Sequence, residues 1–327
     1  MVTTTPHMNP STRNHIWKVT GPEMLFAYII LNFRTSDITV QSVENITSTV
    51  LGDYKIIIVD NNSNDGTAEK LQELSDSHSN IHVLFLDKNV GFAEGNNAGI
   101  SYAKQFNPDY FVVMNNDAEI VQPNFQDKVS KSFADNAVGI IGPDIVVKNT
   151  NVHQNPKRHE PISEGEARRK LAASSKLMSY SDRYLATREW FKSNKWLKNT
   201  VRVAKDRISG SRKKADYDIS EIGNLILHGS FFVISSAAVV KLGTVFDRRT
   251  FFYMEMEILS LRLKSLGIKS KYDNSIKVFH MQNASTNATF HSRIKKIRFQ
   301  GNQMKESTAV YLKVLEELGE LGDVEEG

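Results

Sequence analysis

The 327-residue chain contains no cysteine. Disulfides, thiolate zinc sites and cysteine nucleophiles are therefore excluded, and a reducing compartment is compatible with the composition. Long apolar runs are also missing. The longest, such as Phe26–Leu31, fall far short of the roughly 18–20 residues a membrane span requires, and residues 1–24 lack the apolar core of a signal peptide. The expectation is a cytoplasmic protein, soluble or held peripherally at the inner face of the cell membrane. There is no internal repeat, no P-loop ending in Gly-Lys-Ser/Thr and no G-x-G-x-x-G turn. No nucleic-acid recognition module accompanies the basic residues, so no nucleic-acid partner is expected.

What is present suits a folded chain long enough for one large domain or two ordinary ones, with 40% apolar and 24% charged residues. The net charge of +4 conceals a division. Residues 151–216 hold 17 Lys/Arg against 7 Asp/Glu, a local +10, and the remainder holds 24 against 30, a net −6. An acidic body carries a basic segment, and such a segment attracts nucleic acid, anionic lipid or phosphorylated ligands.

From Leu25 onward, β-rich runs alternate with helical stretches. Phe26–Leu31, Tyr54–Val59, Ile81–Leu86, Tyr110–Met114 and Val138–Val147 read as strands, separated by helices near 36–50, 67–77, 93–105 and 123–134. This is the β-α-β rhythm of an α/β sheet with helices on both faces, whose ligands lie beyond the carboxyl ends of the strands. Downstream, Ala167–Ile208 reads as basic helix, Leu225–Ser235 as strand, Met254–Leu266 as helix, Ser270–Tyr272 and Ile276–Phe279 as two short strands, and 289–319 as a long closing helix.

Three strands end in polar, acid-bearing loops: Asp60–Gly66, Asp87–Gly91 and Asn115–Glu119. Asn, Asp and Gly also form turns and cap helices, so each loop alone admits a structural reading. Three at one sheet edge favour a site.

These loops resemble a known family, the GT-A fold glycosyltransferases of family 2, and in particular its bacterial rhamnosyl- and galactofuranosyltransferase-like branch. The resemblance covers about 25–147 and 225–285. Val59–Thr67 resembles the family's VDNxSxDGT loop, Asn89–Gly99 its NxGFAxGNNxG stretch, and Asn115-Asn116-Asp117 stands where a DxD-type motif is placed. Phe246-Asp247, Phe252–Glu255, Arg262 and Gly267 are similar to its late FDE…FFxYxED…LxxRLxxxG block, and His280 to its late histidine. The fold implied is a Rossmann-like mixed sheet flanked by helices, with a basic helical insertion and a C-terminal helix. The corresponding division is 1–24 as an N-terminal extension, 25–150 as the nucleotide-sugar half, 151–222 as the insertion, 223–288 as the acceptor-side half and 289–327 as the terminal helix and tail.

The resemblance implies an inverting hexosyltransferase acting on a nucleotide sugar, dTDP-rhamnose or a UDP-sugar, with a saccharide or lipid-linked acceptor in surface-polysaccharide synthesis. Nucleotide-sugar contacts are expected from Asn32, Asp60, Asn62, Gly91, Asn96, Asn116 and Asp117. Asp60 can accept from a pyrimidine N–H or a ribose hydroxyl. A diphosphate leaving group needs a divalent cation, Mn²⁺ or Mg²⁺, for which Asp117 and His280 are the candidate ligands and Glu119 a fallback. Gly91, Gly95 and Gly99 either open backbone N–H groups to an anion or serve helix packing. The resemblance places the general base in the acidic pair opening the late helix, where Met256 replaces the second acid, so Glu255 is expected to act. Glu257, two residues on, should face away on a helix.

The basic segment, with Trp190, Phe191, Trp196 and Leu197, suits an anionic membrane surface, or else packs as a solvated insertion. Two other readings stand beside the transferase. A sugar-phosphate nucleotidyltransferase should show a basic glycine-rich loop after strand one, where Asn32-Phe33-Arg34-Thr35 stands instead. A catalytically degenerate, membrane-associated partner protein is motivated by Asn115 and Met256.

Overall fold

The computed structural model describes residues 24–66, 68–193, 219–281 and 292–319. Four strands, β1 (Phe26–Asn32), β2 (Tyr54–Asp60), β3 (Ile81–Phe85) and β4 (Tyr110–Asn115), pair in parallel in the order β3-β2-β1-β4. Asn32 lies opposite Asp60 in this register, so the polar strand ends meet at one edge. Helices α1 (Ser36–Thr49), α2 (Ala68–Asp76), α3 (Gly91–Ala103) and α4 (Phe125–Ser132) follow their strands as the sequence predicts.

Successive β1 side chains enter different cores, because side chains alternate across a strand. Tyr28 and Ile30 pack with Val43, Ile46 and Phe125 on one face. Ala27 and Ile29 pack with Ala93 and Ile100 on the other. A Cβ on Gly95 would stand 2.6 Å from Leu31, and one on Gly99 2.6 Å from Ile29, so α3 rides directly on the sheet. These two glycines serve packing rather than an anion.

The second half departs from simple alternation. It comprises β5 (Ala118–Ile120), β6 (Val138–Val147), β7 (Val152–His153), α5 (Glu164–Ser179), α6 (Asp182–Ser193), β8 (Glu221–Gly223), β9 (Phe231–Ser235), α7 (Ser236–Leu242), α8 (Glu255–Ser265), β10 (Lys269–His280) and α9 (Arg293–Glu317). Strand β9 inserts antiparallel between β4 and β6, making the sheet mixed, and β10 runs parallel to β6. The two short strands expected near 270–279 are one strand, β10, whose register shifts between Asp273 and Lys277.

Two other expectations are corrected. The strand starts at Phe231 rather than Leu225, because Ile226 is buried and bonds instead to the insertion, its carbonyl accepting from Lys157 N at 2.9 Å. The basic helix is not continuous over Ala167–Ile208. It starts at Glu164, where Ser163 caps Glu166 N, an arrangement worth about 1 kcal/mol. It then breaks at Tyr180, extended at ψ 145°, before Ser181 caps Tyr184 N at 3.2 Å. The expectations for Trp196, Leu197 and the remainder up to Ile208 lie outside the described residues, as does most of the expected N-terminal extension.

Helices α5 and α9 form a layer over α8. Ile162 and Ala167 share a core with Met254, Ile258, Tyr311 and Leu315, and a Cβ on Gly301 would meet Leu177 at 3.0 Å. This part of the insertion is therefore packed. Among the described residues, no helix is long and apolar enough to cross a membrane.

Candidate active site

The polar strand ends are joined by a buried hydrogen-bond relay. Asn116 Nδ2 donates to Thr39 Oγ1 (2.9 Å), Thr39 to Asn32 Oδ1 (2.7 Å), and Asn32 Nδ2 to Asp60 Oδ1 (2.7 Å). Asp60 also accepts from Ser63 N at 3.0 Å, which turns the chain after β2. Asn32, Asp60 and Asn116 are site residues expected from sequence, whereas Thr39 and Ser63, whose hydroxyls complete the relay, are not among them.

Asn61, not singled out from sequence, clamps the neighbouring loop: its Oδ1 accepts from Val90 N (2.8 Å) and its Nδ2 donates to Gly91 O (3.1 Å). Asn62, at φ 58°, donates to Asp87 O at 2.9 Å. Gly91 has φ 82°, and a Cβ there would lie 2.3 Å from Phe251 O. The same carbonyl accepts from Phe92 N at 2.8 Å, locking the early loop onto the late one. Asn96 is buried, its amide donating to Phe92 O of its own helix at 2.8 Å.

Above the strand ends lies a cleft of about 540 Å³. Its floor includes Asn61, Asn115 and Asn116, its side Gly91 and Phe92, and its far wall Phe251 to Glu257 with Phe299 and Met304 of α9. Lys157 and Lys170 reach it from the basic insertion.

The start of α8 lines this cleft. Tyr253 (φ 74°) and Met254 (φ 66°) are both left-handed, which costs non-glycine residues on the order of 1 kcal/mol each. This strained turn places both Glu255 and Glu257 on the cleft, correcting the expectation that they face apart. A separation of 200° around a helix axis parts side chains along its flanks, but first-turn residues can all reach the space beyond its N-terminus.

The two carboxyls differ in environment. Glu257 Oε1 accepts from Lys157 Nζ at 2.7 Å. Glu255 Oε1 is buried without a partner, as is Glu257 Oε2, and burial, opposed by backbone hydrogen bonds and Lys157 and aided by Glu257, pushes the Glu255 carboxyl up to about 7. An unpartnered buried oxygen costs about 1–3 kcal/mol. Arg249 braces the approach, bonding Asp247 and Glu317, and Arg262 bonds the carbonyls of Leu242 and Val245.

Beside the floor, pairing of β5 with β10 sets Ala118 opposite His280 and so brings Asp117 to it. His280 Nε2 lies 3.1 Å from Asp117 Oδ1, while its Nδ1 faces Gln154 Oε1 at 2.8 Å. If Nδ1–H donates to Gln154, Nε2 presents a lone pair to a carboxylate, a contact that requires a proton or a cation between them. Glu119, by contrast, pairs with Lys148 at 3.0 Å. His228, on the cleft wall, meets the His280 ring at 5.9 Å, and burial together with His280 and Lys157 lowers it to about 4. Among the described residues, no group of three or more His, Asp or Glu could hold a metal. The pair suits a cation whose other ligands are phosphate oxygens and water, the usual habit of Mg²⁺.

A family model, glycosyl transferase family 2, matches residues 29–219. Glu255 and His280 lie beyond that span. The low-salt glycan biosynthesis hexosyltransferase Agl10 of Haloferax volcanii is 28% identical over 138 residues, 42% of this chain and 40% of that protein. A crystal structure of GalNAc-T7 with UDP, GalNAc and Mn²⁺ shares the fold, at TM-score 0.54 and 12% identity over 90% of this chain and 48% of that one. The mannosyltransferase PcManGT of Pyrobaculum calidifontis, with GDP-Man and Mn²⁺, gives TM-score 0.48 at 12% identity over 90% of this chain and 76% of that one. This chain thus spans under half the length of the first relative and the first structure.

Proposed function

The chain belongs to glycosyl transferase family 2, and on that premise we propose that it moves a sugar from a nucleotide-sugar donor to a saccharide or lipid-linked saccharide acceptor, with inversion. The observation that carries this is Glu255: buried, with Oε1 unpartnered, near-neutral in pKa and lining a cleft shared with the polar strand ends Asn61, Asn115 and Asn116. A general base works best when its pKa lies near the operating pH. The acceptor hydroxyl gives its proton to Glu255 as its oxygen bonds the anomeric carbon. The bond from that carbon to the diphosphate oxygen breaks, and the electron pair leaves with the diphosphate.

The relay of Asn116, Thr39, Asn32 and Asp60 orders the floor on which base and ribose rest. Asp117 and His280 would hold a divalent cation, Mn²⁺ or Mg²⁺, which when bound neutralises charge on the leaving diphosphate. The solved GalNAc-T7 structure, with UDP and Mn²⁺, supports that choice. By motif we place the chain in the rhamnosyl- and galactofuranosyltransferase-like branch, with dTDP-rhamnose or a UDP-sugar as donor and surface polysaccharide as product. Peripheral attachment to an anionic membrane is supported by the +10 of 151–216 and by exposed Tyr184 and Trp190 on α6. That attachment predicts vesicle binding that weakens as salt rises, and equal binding to neutral vesicles would contradict it.

The test is donor hydrolysis across dTDP- and UDP-sugars with Mn²⁺ and Mg²⁺. Metal-dependent hydrolysis of one donor, lost in Asp117→Ala with the circular dichroism unchanged, supports the reading. Full activity of the variant overturns the cation site, and donor binding without any turnover favours the non-enzymatic partner.

A further inference from the structure

Four charged side chains among the described residues line the cleft: Glu255, Glu257, Lys157 and Lys170. Lys157 is neutralised by Glu257. Lys170 has no hydrogen bond or ion pair among the described residues, and its side chain is only partly exposed.

Its carrier helix is firmly set. Arg158 makes a two-pronged bond to Glu166 at 2.7 and 2.9 Å, and Arg298 of α9 bonds Met178 O at 2.9 Å. Ala167, three residues before Lys170 and hence on the same helix face, is buried against Met254 and Ile258, which flank Glu255. Lys170 therefore lines the cleft from the element that packs around the proposed base. The donor-binding strand ends form the floor.

The wall at this end is aromatic. Phe299 stands 6.2 Å from Phe251 and 6.3 Å from Phe252, giving an apolar surface that holds a ligand weakly by itself. A single uncompensated cation against such a wall matches a ligand with an apolar face and one anionic group. We infer that Lys170 and this wall form an acceptor subsite for a saccharide bearing a phosphate or a carboxylate close to its accepting hydroxyl. The inference rests on the transferase reading above and adds the acceptor's charge to it.

The experiment uses the full chain with the donor and cation selected by the hydrolysis screen. Transfer is measured to three matched acceptors, glucose, glucuronic acid and glucose 1-phosphate, as methyl or phosphate glycosides. The wild type should prefer one charged acceptor over the neutral one by roughly 10- to 100-fold in kcat/KM, the span of a hydrogen bond to a charged group. Preference for the phosphate or for the carboxylate identifies the anion. Lys170→Met should abolish the ratio and Lys170→Arg should keep it. Equal use of charged and neutral acceptors by the wild type, or a proportional loss on both in Lys170→Met, overturns the subsite while donor hydrolysis leaves the transferase reading standing. No donor hydrolysis by the wild type overturns both.

Discussion

Lys157 Nζ lies 2.7 Å from Glu257 Oε1 across 100 residues of chain, and this bond divides the two glutamates at the start of α8. Each keeps one buried oxygen without a partner, Glu255 Oε1 and Glu257 Oε2, but only Glu257 is paired with a cation. The basic insertion thereby contributes to the site, since Lys157 also holds the Glu255 carboxyl lower than burial alone would.

Replacing Lys157 with Met should leave Glu257 buried and unpaired. We expect a loss of about 1–3 kcal/mol in urea unfolding, largely restored in the Lys157→Met/Glu257→Gln double variant. The acid limb of the activity profile should also move to higher pH, because a cation that favours the ionised Glu255 is gone.

Glu255 should make stability depend on pH. Its folded pKa of about 7 exceeds the ordinary 4.5, so the folded state binds the proton more tightly. Its contribution is complete below the unfolded pKa and lost as pH rises through about 7. From below about pH 4.5 to above about pH 7 this amounts to roughly 3 kcal/mol at 1.36 kcal/mol per unit. Chemical denaturation of Glu255→Gln should show a flatter profile over that range.

Asp117→Asn preserves shape and removes the anionic ligand. Titration of Mn²⁺ in the presence of UDP, followed by electron paramagnetic resonance, should show binding weakened by about 10-fold or more in this variant and in His280→Ala. Unchanged binding would move the cation elsewhere.

Gly91→Ala and Gly66→Ala separate strain from collision. Both have positive φ, 82° and 78°, but a Cβ at Gly66 meets nothing within 4 Å, whereas at Gly91 it strikes Phe251 O. The first should cost about 2–4 kcal/mol and the second about 1 kcal/mol in thermal or urea unfolding.

The strand runs of the first half were legible because β1, β2 and β4 are buried on both faces and read as unbroken apolar stretches. Their polar ends were legible for the same reason, as abrupt changes of composition. The place of β9 was not, since local sequence does not say which strand inserts between β4 and β6. Glu257 was misjudged because helical periodicity describes the flanks of a helix and not its end. Lys157, Lys170 and His228 carried no motif, and only their long-range packing brings them to Glu255.

The central claim is that Glu255 takes the acceptor proton, and the pH dependence of kcat/KM for transfer by the wild type and Glu255→Gln tests it most directly. The wild-type rate should rise with pH through an apparent pKa near 7, and the folded variant should be slower by about 100- to 10,000-fold and lack this limb. A folded Glu255→Gln protein with activity within a few-fold of wild type and the same limb would contradict it.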